Sequence, residues 1–128
     1  MEYRMLHTCI RVMDLEKSLK FYTEALGFKE TSRKDVPEAE FTLVFLTDAA
    51  ATHAIELTYN YNPEKPYVIG DGFSHVAVGT KDLEASHKRH TEMGYECSKL
   101  RGLLPGNPPG YYFVSDPDGY EIEVCRSA

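Results

Sequence analysis

The sequence has no long hydrophobic segment, no closely spaced cysteine pair and no excess of basic residues. No apolar run approaches the roughly 20 residues that a membrane-spanning helix needs, so we expect no transmembrane segment. The charged start of the chain is not followed by an apolar stretch, so we expect no signal peptide either. The net charge of −6 argues against nucleic acid and anionic membranes as partners, because both require a basic surface.

The three cysteines, Cys9, Cys97 and Cys125, lie far apart in the sequence and form no C-x-x-C motif. This spacing predicts neither a zinc knuckle nor a disulfide framework. We interpret them as free thiols of a cytoplasmic protein. At 128 residues, the chain is long enough to bury the core of one compact domain.

An internal repeat organises the chain. His7 aligns with His75 at an offset of 68 residues, and Asp-Leu-Glu then occurs at the same place in both copies. A single deletion changes the offset to 67 and aligns the end of each copy. The ordered matches are 14–16 with 82–84, Gly27-Phe28 with Gly94-Tyr95, and Ile55-Glu56-Leu57 with Ile122-Glu123-Val124. This order indicates a duplicated module.

Each copy predicts the unit βαβββ. Asp14 and Asp82 are placed to cap the N-terminus of a helix, and Gly27 and Gly94 follow as helix ends. Short runs of β-branched and apolar residues predict the strands. They cover 6–12, 41–47 and 53–60 in the first copy, and 73–80, 110–115 and 120–126 in the second.

The two copies together predict the architecture. We expect an α+β fold in which two tandem βαβββ modules form a curved mixed sheet with the helices on the outside. The modules cover about 5–60 and 73–126, and the Pro- and Gly-containing segment 61–72 links them within one domain.

The alternation of side chains along a strand places four ionisable residues on polar strand faces. These residues are His7, Glu56, His75 and Glu123, and in each strand the opposite face is apolar. A carboxylate on a concave sheet face is costly unless it is paired, hydrogen-bonded or bound to a metal. Two imidazoles and two carboxylates suit a divalent first-row metal, and two added waters would complete an octahedron. This geometry favours Ni²⁺ or Co²⁺ over Zn²⁺, which prefers a tetrahedral site.

Other polar features have plainer interpretations. His53, His87 and His90 have no matching histidine in the repeat, so we interpret them as surface or hydrogen-bonded core residues. The Gly- and Pro-rich segment 102–110 is not followed by a helix, as a phosphate-binding loop would be. We predict that this segment is a loop over the site.

Four stretches of sequence carry a family resemblance. They are His-Thr-Cys-Ile-Arg-Val at 7–12, Ser-Leu-Lys-Phe-Tyr at 18–22 with Leu-Gly-Phe at 26–28, Ile-Glu-Leu-Thr-Tyr-Asn at 55–60, and Asp-Pro-Asp-Gly-Tyr-Glu-Ile-Glu at 116–123. In these stretches the chain resembles glyoxalase I (lactoylglutathione lyase) of the vicinal oxygen chelate superfamily. The resemblance implies a homodimer that isomerises the methylglyoxal–glutathione hemithioacetal to S-D-lactoylglutathione through an ene-diolate.

The resemblance also implies roles for individual residues. His7, Glu56, His75 and Glu123 would hold the metal, and histidine at position 7 resembles the short bacterial form that uses Ni²⁺ or Co²⁺. Glu123 would be the base that moves the substrate proton, with Glu56 as its counterpart. Substrate-binding roles fall on Arg11, Asn60 and Arg101.

Two acidic residues depart from the family pattern, and two other functions remain open. Asp71 and Glu121 replace an arginine and an aromatic residue of that pattern, which leaves open another thiol or a less anionic glutathione conjugate. One alternative function is a metal-dependent acyl-CoA epimerase of the methylmalonyl-CoA epimerase kind. Another is a non-catalytic drug-binding protein of the bleomycin-resistance kind.

Overall fold

The computed structural model describes residues 1–127, and the chain divides into two compact units. The first unit, Met1–Val68, ends inside the predicted linker at 61–72, and the second unit begins at Ile69. Among residues 1–127, no helix is long and apolar enough to cross a membrane.

The first unit has the predicted βαβββ order. Its elements are β1 (His7–Arg11), α1 (Leu15–Lys20) continued by a π-helical turn (Phe21–Ala25), β2 (Lys29–Val36), β3 (Phe41–Thr47) and β4 (Ala54–Asn60). The strands form one sheet in the order β1-β4-β3-β2, in which β1 runs parallel to β4 and the other pairs are antiparallel. Strand β4 therefore lies between β1 and β3 in the sheet.

Strand β2 was not located from the sequence. Seven of its eight residues are exposed, and its side chains are polar on both faces, so no alternation of apolar residues identifies it. It is an edge strand whose backbone pairs with β3. Polar side chains on an edge strand also discourage pairing with other chains.

The second unit is a shorter version of the same module. Its elements are β5 (His75–Thr80), α2 (Leu83–Glu92), β6 (Tyr111–Ser115) and β7 (Glu121–Arg126). They form a sheet in the order β5-β7-β6, with β5 parallel to β7. Where the first unit has β2, the described part of this unit has only the isolated bridges Cys97–Val114 and Arg101–Tyr111. The predicted mixed sheet is thus present as two sheets, one in each unit.

Local capping matches the sequence prediction in both units. The Asp14 side chain accepts a hydrogen bond from the backbone N–H of Lys17 at 3.1 Å, and the Asp82 side chain accepts one from Ala85 at 3.0 Å. These bonds satisfy backbone donors that a helix leaves unpaired at its start. Gly27 and Gly94 follow the helices with φ of 72° and 89°, a conformation that costs glycine little.

Each sheet has one buried face and one polar face. In β4 the buried residues Ile55 and Leu57 alternate with Glu56 and Thr58, and in β7 the buried residues Ile122 and Val124 alternate with Glu121, Glu123 and Cys125. Burial of the apolar set stabilises the unit by roughly 25 cal/mol for each Å² removed from water. The carboxylates consequently point to the opposite side of the sheet.

A buried polar network joins α2 to β6. The Tyr112 hydroxyl lies 2.6 Å from Ser86 Oγ and 2.7 Å from His90 Nδ1, and the Tyr112 side chain has no solvent exposure. Burial raises the pKa of Tyr112, so the phenol stays neutral and hydrogen-bonded at physiological pH.

Removing this hydroxyl should destabilise the fold. We expect Tyr112→Phe to lower the free energy of unfolding by about 2 kcal/mol, because the buried His90 and the half-buried Ser86 each lose a partner. Urea unfolding followed by circular dichroism measures the change. The matched control is Tyr111→Phe, which alters the half-buried tyrosine on the other face of the same strand. Equal stability of Tyr112→Phe and the parent protein would show that the network contributes nothing.

Candidate metal and substrate site

The first unit brings two of the predicted ligands together. His7 Nε2 on β1 lies 3.1 Å from Glu56 Oε1 on β4. The Glu56 side chain is mostly buried, with 12% of its surface exposed, while His7 is 38% exposed. The ring of Phe45 on β3 meets the His7 ring edge-on, with 5.4 Å between the centroids. The His7 ring of the pair therefore packs against Phe45.

The second unit repeats this arrangement. His75 Nε2 on β5 lies 3.4 Å from Glu123 Oε1 on β7. Phe113 on β6 meets the His75 ring edge-on at a centroid distance of 5.3 Å. Ser74 Oγ lies 2.7 Å from His75 Nδ1, and a hydrogen bond at this nitrogen leaves Nε2 to face the carboxylate.

Each carboxylate also accepts a hydrogen bond from the residue two positions further along its strand. Thr58 Oγ1 donates to Glu56 Oε2 at 2.8 Å, and Cys125 Sγ donates to Glu123 Oε1 at 3.2 Å. Burial, followed by the neighbouring Glu123 carboxylate, raises the pKa of Cys125 to about 11. Cys125 is therefore a protonated thiol that donates a hydrogen bond at neutral pH, and a thiol of this kind is not a metal ligand. The atoms of each pair that could bind a metal are a histidine nitrogen and a glutamate oxygen.

Each pair, taken by itself, has the spacing of two ligands on a divalent ion. With ligand bonds of about 2.1 Å, adjacent donors on an octahedral ion lie about 3.0 Å apart, and donors on a tetrahedral ion about 3.4 Å apart. The separations of 3.1 and 3.4 Å agree with two ligands on the same ion. Among residues 1–127, no group of three or more His, Cys, Asp or Glu side chains is arranged to hold a metal. Each unit alone thus offers two candidate ligands.

Two of the predicted substrate-binding residues share the polar face of the first sheet. Arg11 is exposed at the end of β1, and its partner across the parallel pair is Thr58. Asn60 ends β4, where its amide Nδ2 donates to the Tyr67 hydroxyl at 3.1 Å. Arg11 lies on the face of His7, and Asn60 lies on the face of Glu56.

The third predicted substrate-binding residue, Arg101, lies in the second unit at the base of the 102–110 loop. It is exposed, and its backbone forms a bridge with Tyr111 on β6. The loop is closed by a bond from Gly110 N–H to the Arg101 carbonyl at 2.7 Å, and it exposes Leu103 and Leu104. A strand follows it, which agrees with the expectation that it is not a phosphate-binding loop.

The three remaining histidines have structural partners, as the sequence analysis expected. His53 Nε2 lies 3.0 Å from Thr8 Oγ1, and His87 Nε2 lies 2.8 Å from the Ser98 carbonyl oxygen. His90 is buried against Tyr112. The three cysteines are free, also as expected.

Comparison with known proteins identifies the family. Residues 4–124 match the Glyoxalase/Bleomycin resistance protein/Dioxygenase superfamily. The chain belongs to this superfamily. Its relatives include the lactoylglutathione lyase of Neisseria meningitidis serogroup A, which is 40% identical over 125 residues and covers 96% of the chain and 90% of the relative. A probable lactoylglutathione lyase of Synechocystis is 38% identical over 126 residues, covering 97% of the chain and 95% of the relative.

A solved structure supports the same placement among the glyoxalases. The trypanothione-dependent glyoxalase I of Leishmania major superposes with a TM-score of 0.86 at 38% identity, covering 98% of this chain and 87% of that one. The predicted family resemblance and fold class are therefore confirmed. These relatives favour neither the acyl-CoA epimerase nor the drug-binding alternative.

Several residues that contact the two His–Glu pairs were not identified from the sequence. They are Phe45, Thr58, Ser74, Phe113 and Cys125. Phe45 and Phe113 hold equivalent places in the two units, since Phe45 pairs with Glu56 and Phe113 with Glu123. This equivalence and the contacts of Ser74 and Cys125 required the structure.

Proposed function

We propose that the chain is a metal-dependent lactoylglutathione lyase. It isomerises the hemithioacetal of methylglyoxal and glutathione to S-D-lactoylglutathione through an ene-diolate, and so detoxifies methylglyoxal. The observation that carries this proposal is the His–Glu pair that occurs on the polar face of each sheet. Full-length similarity to lactoylglutathione lyases at 38–40% identity supports the reaction type.

The proposed ligands of one divalent metal are His7, Glu56, His75 and Glu123. A bound metal would supply Lewis acidity, polarising the two neighbouring oxygens of the hemithioacetal and making the C1–H bond more acidic. Nitrogen and oxygen donors with room for water favour Ni²⁺ or Co²⁺, and Zn²⁺ is the less suited ion.

The carboxylates perform the proton transfer. Glu123 takes the proton from C1 of the substrate and returns it to C2, and Glu56 is its counterpart in the other half of the site. The Thr58 hydroxyl is a stronger donor than the Cys125 thiol, so Glu56 is held more firmly than Glu123. Phe45 and Phe113 meet the histidine rings edge-on, which restricts the orientation of the two imidazoles.

The thiol part of the substrate is assigned to Arg11, Asn60 and Arg101. Arg11 supplies a positive charge beside the first pair, and a guanidinium binds a carboxylate with two parallel hydrogen bonds. The Asn60 amide lies two positions beyond Thr58 on the same strand face and adds a neutral donor. Arg101 is an exposed cation at the base of the loop in the second unit.

We further propose that the enzyme is a homodimer in the cytoplasm. Because each unit offers one His–Glu pair, a complete ligand set requires both pairs, from one chain or from two. Free cysteines agree with a reducing compartment.

The decisive experiment restores activity to metal-free protein. After chelation, methylglyoxal and glutathione are supplied with Ni²⁺, Co²⁺ or Zn²⁺, and thioester formation is followed by absorbance. We expect Ni²⁺ and Co²⁺ to restore turnover, with one ion bound per site by equilibrium dialysis. Stoichiometric metal binding without thioester formation would retain the metal site and reject the lyase function.

A further inference from the structure

One acidic residue lies beside the second pair without belonging to it. Glu121 on β7 is the partner of His75 across the parallel strands and of Ser115 across the antiparallel strands. It shares a strand face with Glu123, and it is half-buried. Ser115 Oγ donates to Glu121 Oε1 at 2.7 Å, which fixes the carboxylate on the polar face of the sheet.

The repeat provides an internal comparison for this position. At the offset of 67, Glu121 corresponds to Ala54, and Ala54 is the strand partner of His7 as Glu121 is of His75. The first unit forms its His–Glu pair with only a methyl group there. Neither the module nor the pair therefore requires a carboxylate at position 121.

The first unit has an added charge of its own on its polar face, and this charge is positive. Arg11 corresponds to Gly79 at the offset of 68, and each residue lies four positions after the histidine of its strand. The polar face of the first unit thus carries an added cation, and that of the second unit an added anion. The face of the first unit would attract a negative group of a ligand, and the face of the second unit would repel one.

We propose, on the basis of the lyase function proposed above, that Glu121 determines thiol specificity by disfavouring a second carboxylate. The preferred thiols are glutathione derivatives in which one carboxylate is masked as an ester or an amide. Repulsion between like charges near a protein surface is modest, because solvent screening reduces it. The net charge of −6 acts in the same direction on every anionic substrate.

The test compares two thiols that differ by one negative charge. Hemithioacetals are formed from methylglyoxal with glutathione or with its glycyl monoethyl ester, and kcat/KM is measured for each. We expect the wild-type protein to prefer the ester, and Glu121→Gln to reduce the ester-to-glutathione ratio about fivefold. Glutamine keeps the size of the side chain and an oxygen that accepts from Ser115. The ratio in the wild-type protein should also fall as the salt concentration rises.

Two further variants test whether the effect on the ester-to-glutathione ratio is specific to position 121. Glu92→Gln removes the same charge from the exposed end of α2, where Glu92 is paired only loosely with Lys88 at 3.9 Å. It should leave the ratio unchanged. Glu121→Ala reproduces the residue of the first unit, and it should lower the ratio as Glu121→Gln does.

The outcomes separate this inference from the lyase function. An ester-to-glutathione ratio that is the same in Glu121→Gln and wild type overturns the role of Glu121, although turnover itself would continue. Calorimetry of the binding of S-methylglutathione and of its glycyl ethyl ester compares the same two charge states without turnover. A ratio of affinities that responds to Glu121→Gln supports the inference even for a protein that makes no thioester.

Discussion

Replacing Glu123 by glutamine is expected to lower kcat by about a thousandfold or more, because a general base alone contributes about 10² to 10⁴. The substitution also weakens a proposed metal ligand, since a neutral amide oxygen is a poorer donor than a carboxylate. The fold should survive, because Glu123 lies on the polar face of β7 and not in the apolar core. Steady-state kinetics and metal analysis of the same preparation measure both effects.

The two readouts distinguish the roles of Glu123. Loss of turnover with metal retained identifies the base, and loss of both identifies a ligand on which the site depends. Glu92→Gln on α2 is the control for the same chemical change outside the site. Turnover of Glu123→Gln within tenfold of the wild-type rate would assign the proton transfer to another group, with Glu56 as the first candidate.

The second large effect is expected on mixing two inactive variants. Glu56→Gln removes the carboxylate of the first unit, and Glu123→Gln removes that of the second. If each site combines the first unit of one chain with the second unit of its partner, a mixed dimer contains one intact site. Random exchange of subunits would then restore about a quarter of the wild-type activity, since half of the dimers are mixed and each has one working site.

Refolding equal amounts of the two variants together, followed by activity measurement, tests the arrangement. The matched control mixes Glu56→Gln with His7→Ala, both of which damage the same unit, and this mixture should stay inactive. Activity in the first mixture but not in the control establishes sites shared between chains. An inactive first mixture, with mixed dimers demonstrated by mass spectrometry, establishes sites built within one chain.

The duplicated module and the polar faces of its strands were predictable from the sequence. Alternation has a period of two residues, so Ile55 and Leu57 fix the orientation of Glu56, and Ile122 and Val124 fix that of Glu123. Helix capping by aspartate is equally local, which explains why Asp14 and Asp82 were assigned correctly.

Features that depend on backbone pairing between strands were harder to predict from the sequence. Strand β2 has polar side chains on both faces, and its partner β3 alone defines it. The described part of the second unit likewise has no full counterpart of β2, since Cys97 and Arg101 form only isolated bridges with β6. The pairing of His7 with Glu56 and of His75 with Glu123 depends on parallel contacts between strands that are distant in sequence.

The contrast between Ala54 and Glu121 has an evolutionary consequence. In an assembly of identical single modules, one codon would specify both positions, so a charge beside the histidine would appear twice or not at all. A chain that carries both modules is free of this constraint, and each position can mutate under separate selection. A change of thiol would therefore need one substitution in one half of the gene, while the other half kept its own residue.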